Sequence, residues 1–177
     1  MSTIVTHLRA DGVSLLVQLQ PGHLPQVLHW GADLGQMTTA TARALAAGEA
    51  WMVAPNTPEE PLRLGLLPEA RFGWMGTPGL IGSRRGRDWS PAWNVIDIRL
   101  EGQPVTDGYH ERPGGSLEVT AVGAGLELVL TLRLLPQGLV RTRARLTNRQ
   151  DEPYQLEALN LALPVPSAAR EILDLAG

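Results

Sequence analysis

The stretch with the most chemical capacity in this chain is Arg84-Arg85-Gly86-Arg87-Asp88-Trp89-Ser90-Pro91-Ala92-Trp93, with Trp74 a short way upstream. An indole face stacks on the apolar C–H face of a sugar ring, while guanidinium and carboxylate groups hydrogen-bond its hydroxyls. Trp74, Arg87, Asp88 and Trp89 are therefore the candidates for a loop that faces a carbohydrate. Two plainer uses compete for the same residues. The tryptophans could plug the end of a sandwich while Arg87 pairs with Asp88, or the aromatic and Arg side chains could serve a protein–protein contact.

Other chemistries find less support. His7, His23, His29 and His110 show no HxH or HxxxH spacing and cysteine is absent, so neither a metal site nor a disulfide is expected. A phosphate-binding loop of the GxxxxGK[ST] type needs a Lys that this chain lacks, and no GxSxG elbow occurs. Nothing signals a Ser-His-Asp triad. Most of the 18 acidic residues sit beside turns or on alternating faces, and their spacing gives no pair suited to glycoside hydrolysis. The reading is a chain with no catalytic residue and no cofactor of its own.

These residues must be positioned by strands. Val13–Gln20 and Gln26–Trp30 read as extended, separated by the turn Pro21-Gly22. Ala40–Ala47 is an Ala-rich helix, with Thr38 or Thr39 as its cap and Gly48 as its close. Trp51–Pro68 is irregular and Pro-rich. Arg71–Pro91 is a long Gly-punctuated loop whose aromatics want burial. Strands return at Val95–Leu100, Ser116–Val122 and Leu126–Leu135, with tight turns at Glu101–Pro104, Gly123-Ala124-Gly125 and Pro136-Gln137-Gly138.

Leu139–Pro166 reads as strand, turn, strand. Val140, Thr142, Ala144 and Leu146 alternate with Arg141, Arg143 and Arg145, which puts the guanidinium groups on one face. Asn148, Asp151 and Pro153 supply turn chemistry before a second strand over Tyr154–Leu163. Ser167–Leu175 offers a second short helix capped by Ser167. The fold class expected is all-β: an antiparallel β-sandwich, complete or cut short, with one or two short helices.

Composition bounds the rest. The chain of 177 residues makes one domain or a large part of one, with 44% hydrophobic and 19% charged residues. All 15 basic residues are Arg and the net charge is −3, which gives no sign of a nucleic-acid or membrane partner. The N-terminus lacks a signal-peptide pattern, and no run approaches the ~18 apolar residues of a membrane span. A cytoplasmic protein is the expectation.

The sequence resembles the N-terminal domain of family 36 glycoside hydrolases, the microbial alpha-galactosidases, in an actinobacterial-type form. The resemblance rests on His29-Trp30-Gly31-Ala32-Asp33-Leu34-Gly35, Leu67-Pro68-Glu69, Gly76-Thr77-Pro78-Gly79-Leu80 and Arg87-Asp88-Trp89-Ser90-Pro91. It continues through Leu146-Thr147-Asn148 and Pro153-Tyr154 to Leu163-Pro164-Val165-Pro166. It runs from about Val27 to the C-terminus, and order and spacing carry it rather than any single motif.

The resemblance implies a β-supersandwich, residues 1–177 being that domain or its first part, ahead of a (β/α)8 barrel absent from this chain. In the family the barrel holds two catalytic aspartates and hydrolyses terminal alpha-galactosides with retention. The N-terminal domain supports the barrel, helps assemble homo-oligomers and, in some members, reaches a neighbouring active site. One subgroup carries an acidic residue, an aromatic and an Arg in the loop after Pro-Glu. Here Gly76–Leu80 takes that region with no carboxylate, which leaves Trp74, Arg87, Asp88 and Trp89 as the border of the pocket. The alternative from a different class is a stand-alone carbohydrate-binding sandwich module.

Overall fold

Asp11-Gly12 sets the first corner of the fold. Both residues sit at positive φ, 46° and 73°. That is the backbone of a two-residue hairpin whose twist matches its flanking strands. It joins β1 (Ile4–Ala10) to β2 (Val13–Leu19), and β3 (Gln26–Ala32) pairs with β2 on the other side. β7 (Gly108–Pro113) completes a four-stranded sheet of order β3-β2-β1-β7, in which β1 and β7 run parallel and the other pairs antiparallel. The computed structural model describes residues 3–49, 55–56, 63–166, 168–171 and 173.

A second, five-stranded sheet has the order β10-β9-β8-β5-β6. Its strands are β5 (Asn94–Leu100), β6 (Gln103–Pro104), β8 (Gly115–Gly123), β9 (Leu126–Leu134) and β10 (Val140–Asn148). Ala124-Gly125 and Glu101-Gly102 form tight corners at positive φ, as their spacing predicts.

The two sheets face each other across one core. β1 and β2 turn Ile4, Leu8, Leu15 and Val17 inward, and β8 and β9 answer with Leu117, Val119, Leu128 and Leu130, all fully buried. Fully burying a residue of this size contributes about 1.5–3 kcal/mol, so the sandwich interior is the main source of cohesion. The opposite face of the four-stranded sheet is covered by α1 (Thr39–Gly48), through Val5, Leu16 and Leu28 against Ala42 and Ala46. Thr38 caps α1 by accepting from the Thr41 amide at 3.1 Å.

The β-sandwich and the helix are borne out, with β1–β7 the parallel departure. The sequence reading passes over β1 and β7. It also expects a hairpin over Leu139–Pro166, and the structure corrects this. β10 does alternate as read, with Arg141, Arg143 and Arg145 exposed, but among the described residues its partner is β9 alone.

The chain then leaves the sheet at Asn148, whose side chain accepts from the Gln150 amide at 3.2 Å and donates to the Glu152 carbonyl at 2.9 Å. This Asx turn, followed by Pro153, carries the chain away to a second small sheet. There β11 (Gln155–Leu159) pairs antiparallel with β4 (Leu80–Ser83), inside the stretch expected to be a loop. Gly82 makes that pairing possible. A Cβ there would stand 2.5 Å from the Gln155 carbonyl oxygen and 2.7 Å from the Tyr154 ring.

The Pro-rich segment read at Trp51–Pro68 lies largely outside the described residues, though Leu66 and Leu67 at its end are fully buried. The short helix read at Ser167–Leu175 also falls partly outside them, and 168–171 and 173 are not helical.

Candidate carbohydrate-facing site

Residues 63–93 build this face in three steps. The buried pair Leu66-Leu67 anchors the incoming chain, and a single 3-10 turn at Ala70–Phe72 reverses it. β4 then runs to Arg84, where Arg85-Gly86 turns at positive φ (48° and 80°) so that the Arg84 and Arg87 amides each bond the other's carbonyl at 2.8 Å. Trp93 closes the segment at 4% exposure inside the core. The plug expected of the tryptophans is thus the role of Trp93.

Arg84 organises the corner beyond β4. Its side chain is 1% exposed, and a buried guanidinium persists only where its donors are met. Here they reach Asp88 Oδ2 at 3.0 Å, the Ala124 carbonyl, the Gly125 carbonyl at 3.4 Å and Asn148 Oδ1. The Tyr154 ring lies under the guanidinium at 5.3 Å, and the Tyr154 hydroxyl donates to the Asp88 carbonyl at 3.3 Å. One cation thereby ties β4, the β8–β9 corner, the end of β10 and the start of β11.

Among the four sequence candidates, Asp88 belongs to this knot, at φ +59°. Arg87 does not pair with Asp88. It is 69% exposed and bonds Glu152 Oε2 at 3.0 Å. Trp89 is 64% exposed and stands at a cleft of about 30 Å³ lined by Leu67, Pro68, Glu69, Pro78 and Trp93 among others. Trp74 donates its indole N–H to the Thr77 carbonyl at 3.0 Å within its own turn and is not among the described lining residues of that cleft. The structure therefore brings Arg87, Asp88 and Trp89 to one corner and keeps Trp74 in a neighbouring turn.

The sequence reading missed Glu69 as a site residue. It lines the Trp89 cleft on one side and a second recess with His23 and Phe72 on the other. Burial pushes its carboxyl up to about 7, against the pull of Arg71 and a backbone hydrogen bond from Leu24. A carboxyl poised near neutrality beside an exposed indole is able both to donate to and to accept from a hydroxyl. The available signal was the apolar run Leu66-Leu67-Pro68 directly before it, which leads Glu69 into the interior.

A Ser-His-acid constellation, unsignalled in sequence, also occurs: Ser14 Oγ is 2.8 Å from His7 Nε2 and 2.7 Å from Asp33 Oδ1. Ser14 and His7 are fully buried, and the hydroxyl is already committed to Asp33. No substrate reaches it, so it is not a nucleophile. Arg9 and then Ser14 hold Asp33 well below the usual carboxylate range. This explains the Asp33 of the His29–Gly35 motif as a strand-end lock. Among the described residues no cluster of three or more His, Cys, Asp or Glu could hold a metal ion. No helix among them is long and apolar enough to cross a membrane.

A two-sheet sandwich with a tied loop corner and an exposed indole makes this an all-β domain with one covering helix. Residues 23–177 match the glycosyl hydrolase family 36 N-terminal domain, and the chain belongs to that family. It is 27% identical over 158 residues to an alpha-galactosidase of Escherichia coli, a match covering 86% of this chain and 20% of that protein. Its fold is similar to that of the family 36 alpha-galactosidase AgaA A355E of Geobacillus stearothermophilus, solved with 1-deoxygalactonojirimycin. The TM-score is 0.64 at 20% identity, over 88% of this chain and 24% of that one. The AgaB enzyme of the same organism gives 0.61 at 20% identity, over 88% and 23%. The chain thus spans about a fifth to a quarter of these relatives.

Proposed function

We propose that this chain is the non-catalytic N-terminal domain of an alpha-galactosidase that hydrolyses terminal alpha-galactosides with retention. In this reading it braces the catalytic barrel, borders the entrance to the active site and contacts neighbouring subunits. Family membership and the fraction of each relative that it spans support the first part. The observation that carries the pocket role is Trp89, 64% exposed at a cleft shared with the protonatable Glu69. Arg87 and Asp88 hold the corner on which Trp89 stands, through Glu152 and Arg84.

The contact role draws on β10. It is paired on one side only among the described residues and presents Arg141, Arg143 and Arg145 outward, with Leu139 60% exposed at its start. Arg beside exposed apolar surface suits a protein contact.

The same exposed indole favours a second reading, a sugar-binding sandwich that acts by itself. Calorimetry of the 177-residue chain with galactose and melibiose separates the two. The first reading predicts no heat at millimolar sugar and no hydrolysis of a nitrophenyl alpha-galactoside. Saturable binding by the chain alone would hand the site to the second.

A further inference from the structure

The outer face of the β3-β2-β1-β7 sheet carries a closed polar circuit away from the sugar-facing corner. His7, fully buried on β1, is its centre. Nδ1 lies 2.9 Å from the Tyr109 hydroxyl and Nε2 2.8 Å from the Ser14 hydroxyl. Ser14 Oγ is 2.7 Å from Asp33 Oδ1, and Tyr109 Oη is 2.9 Å from Glu111 Oε2. Arg9 closes the circuit, Nε to Asp33 Oδ1 at 2.7 Å and Nη1 to Glu111 Oε1 at 2.9 Å.

Counting protons constrains it. Asp33 and Glu111 are carboxylates facing Arg9, so they only accept. Ser14 and Tyr109 each have one hydroxyl proton, and each gives it to its carboxylate. Toward His7 both hydroxyls then present a lone pair, and the second lone pair of Ser14 already takes the Leu34 amide at 3.0 Å. Both ring nitrogens therefore face acceptors, and both bonds form only if the ring carries two protons. A neutral ring leaves one bond unmade, or makes Ser14 or Tyr109 turn its proton inward and release its carboxylate.

The surroundings set opposing pulls. Arg9 faces the ring from its own strand, Asp33 and His29 from β3 and its end, and Tyr109 and Glu111 from β7. β2 contributes the uncharged Ser14, and α1 covers this face with Ala42 and Ala46. With His7 charged, Arg9 and His7 balance Asp33 and Glu111. Burial nevertheless holds the ring below its ordinary pKa, outweighing the attraction of Glu111. Near neutrality the circuit is thus one proton short.

We propose that this circuit is a proton-operated clasp: His7 takes its second proton while still buried, completes the last hydrogen bond and tightens the β3–α1 connection. That connection hangs on the same acceptors. Asp33 Oδ1 takes the Gly35 amide at 3.2 Å, Ser14 Oγ takes the Leu34 amide, and Glu111 takes the Met37 amide.

The test is a pH titration of the 177-residue chain, observed through the ring nitrogens of His7 by NMR and assigned against His7→Gln. The clasp predicts a midpoint below the ~6.5 of a free imidazole, with both nitrogens becoming protonated while the backbone spectrum stays folded. Protection of the Leu34, Gly35 and Met37 amides rises with it, beyond the intrinsic slowing of exchange in acid. Tyr109→Phe removes the acceptor at Nδ1 and moves the midpoint lower still. A ring that stays neutral until the chain unfolds, or that titrates like a free imidazole, overturns the proposal. So does a Tyr109→Phe midpoint that stays put or rises, or protonation without change at those three amides.

Discussion

The Arg84 knot and the His7 circuit both place a basic side chain inside the protein, and they satisfy it differently. Arginine stays charged in proteins, and the partners of Arg84 are mainly carbonyl and amide oxygens from two distant segments, with Asp88 its carboxylate. His7 can lose its proton, and its partners are hydroxyls whose own protons are already committed to carboxylates. The first arrangement is fixed glue; the second changes its hydrogen-bond count with pH. Buried polar groups of similar exposure thus give different dependence on solution conditions, according to whether the central group titrates near neutrality.

The largest expected effect breaks the knot. Arg84→Ala leaves the Ala124 carbonyl without its donor, takes one of two donors from the Gly125 and Glu152 carbonyls, removes the cation facing Asp88, and should cost about 3–5 kcal/mol in urea unfolding. That loss should be the same on either side of neutrality. A cost that varied strongly with pH would erase the contrast with His7.

The circuit gives the next effect. His7 has a lowered folded pKa, so the unfolded chain binds the extra proton more readily. Stability contributed by the neutral ring is present above about 6.5 and is lost as pH falls from there towards the folded value. His7→Gln should flatten this acid-side fall in unfolding curves taken across the range.

Glu69 has the opposite sign. Its carboxyl is raised from 4.5 to about 7, so the folded chain prefers the proton, and stability falls as pH rises through that window. Glu69→Gln should gain roughly 1 kcal/mol at pH 7 and nothing below 4.5. The smallest effect is Arg87→Ala. Its exposed pair with Glu152 should be worth under about 1 kcal/mol, and salt should abolish it.

Much of the sandwich was legible because it is local. Alternation marks β8, β9 and β10, and the corners at Glu101-Gly102 and Ala124-Gly125 need only their own residues. β1 was equally legible. Asp11-Gly12 between Leu8-Arg9-Ala10 and Val13-Ser14-Leu15 is a strong hairpin signal that the reading passed over.

The hairpin expected after β10 failed because the partner of β11 is β4, more than 70 residues earlier, and a period of two says nothing about partners. The candidate corner was half legible. Composition pointed to residues 84–93, yet Asp88 goes to Arg84 and Arg87 to Glu152, choices fixed only when Asn148 and Glu152 arrive from the far end of the chain. Glu69 escaped because its shifted acidity comes from burial, which no single residue declares.

The central claim is that Trp89 stands at the rim of an alpha-galactosidase pocket. The direct measurement is steady-state kinetics of Trp89→Ala in the complete enzyme that carries this domain, with light scattering alongside. We predict a KM for a nitrophenyl alpha-galactoside raised several-fold at little change in kcat, with the fold intact. Unchanged KM together with unchanged particle mass would contradict it.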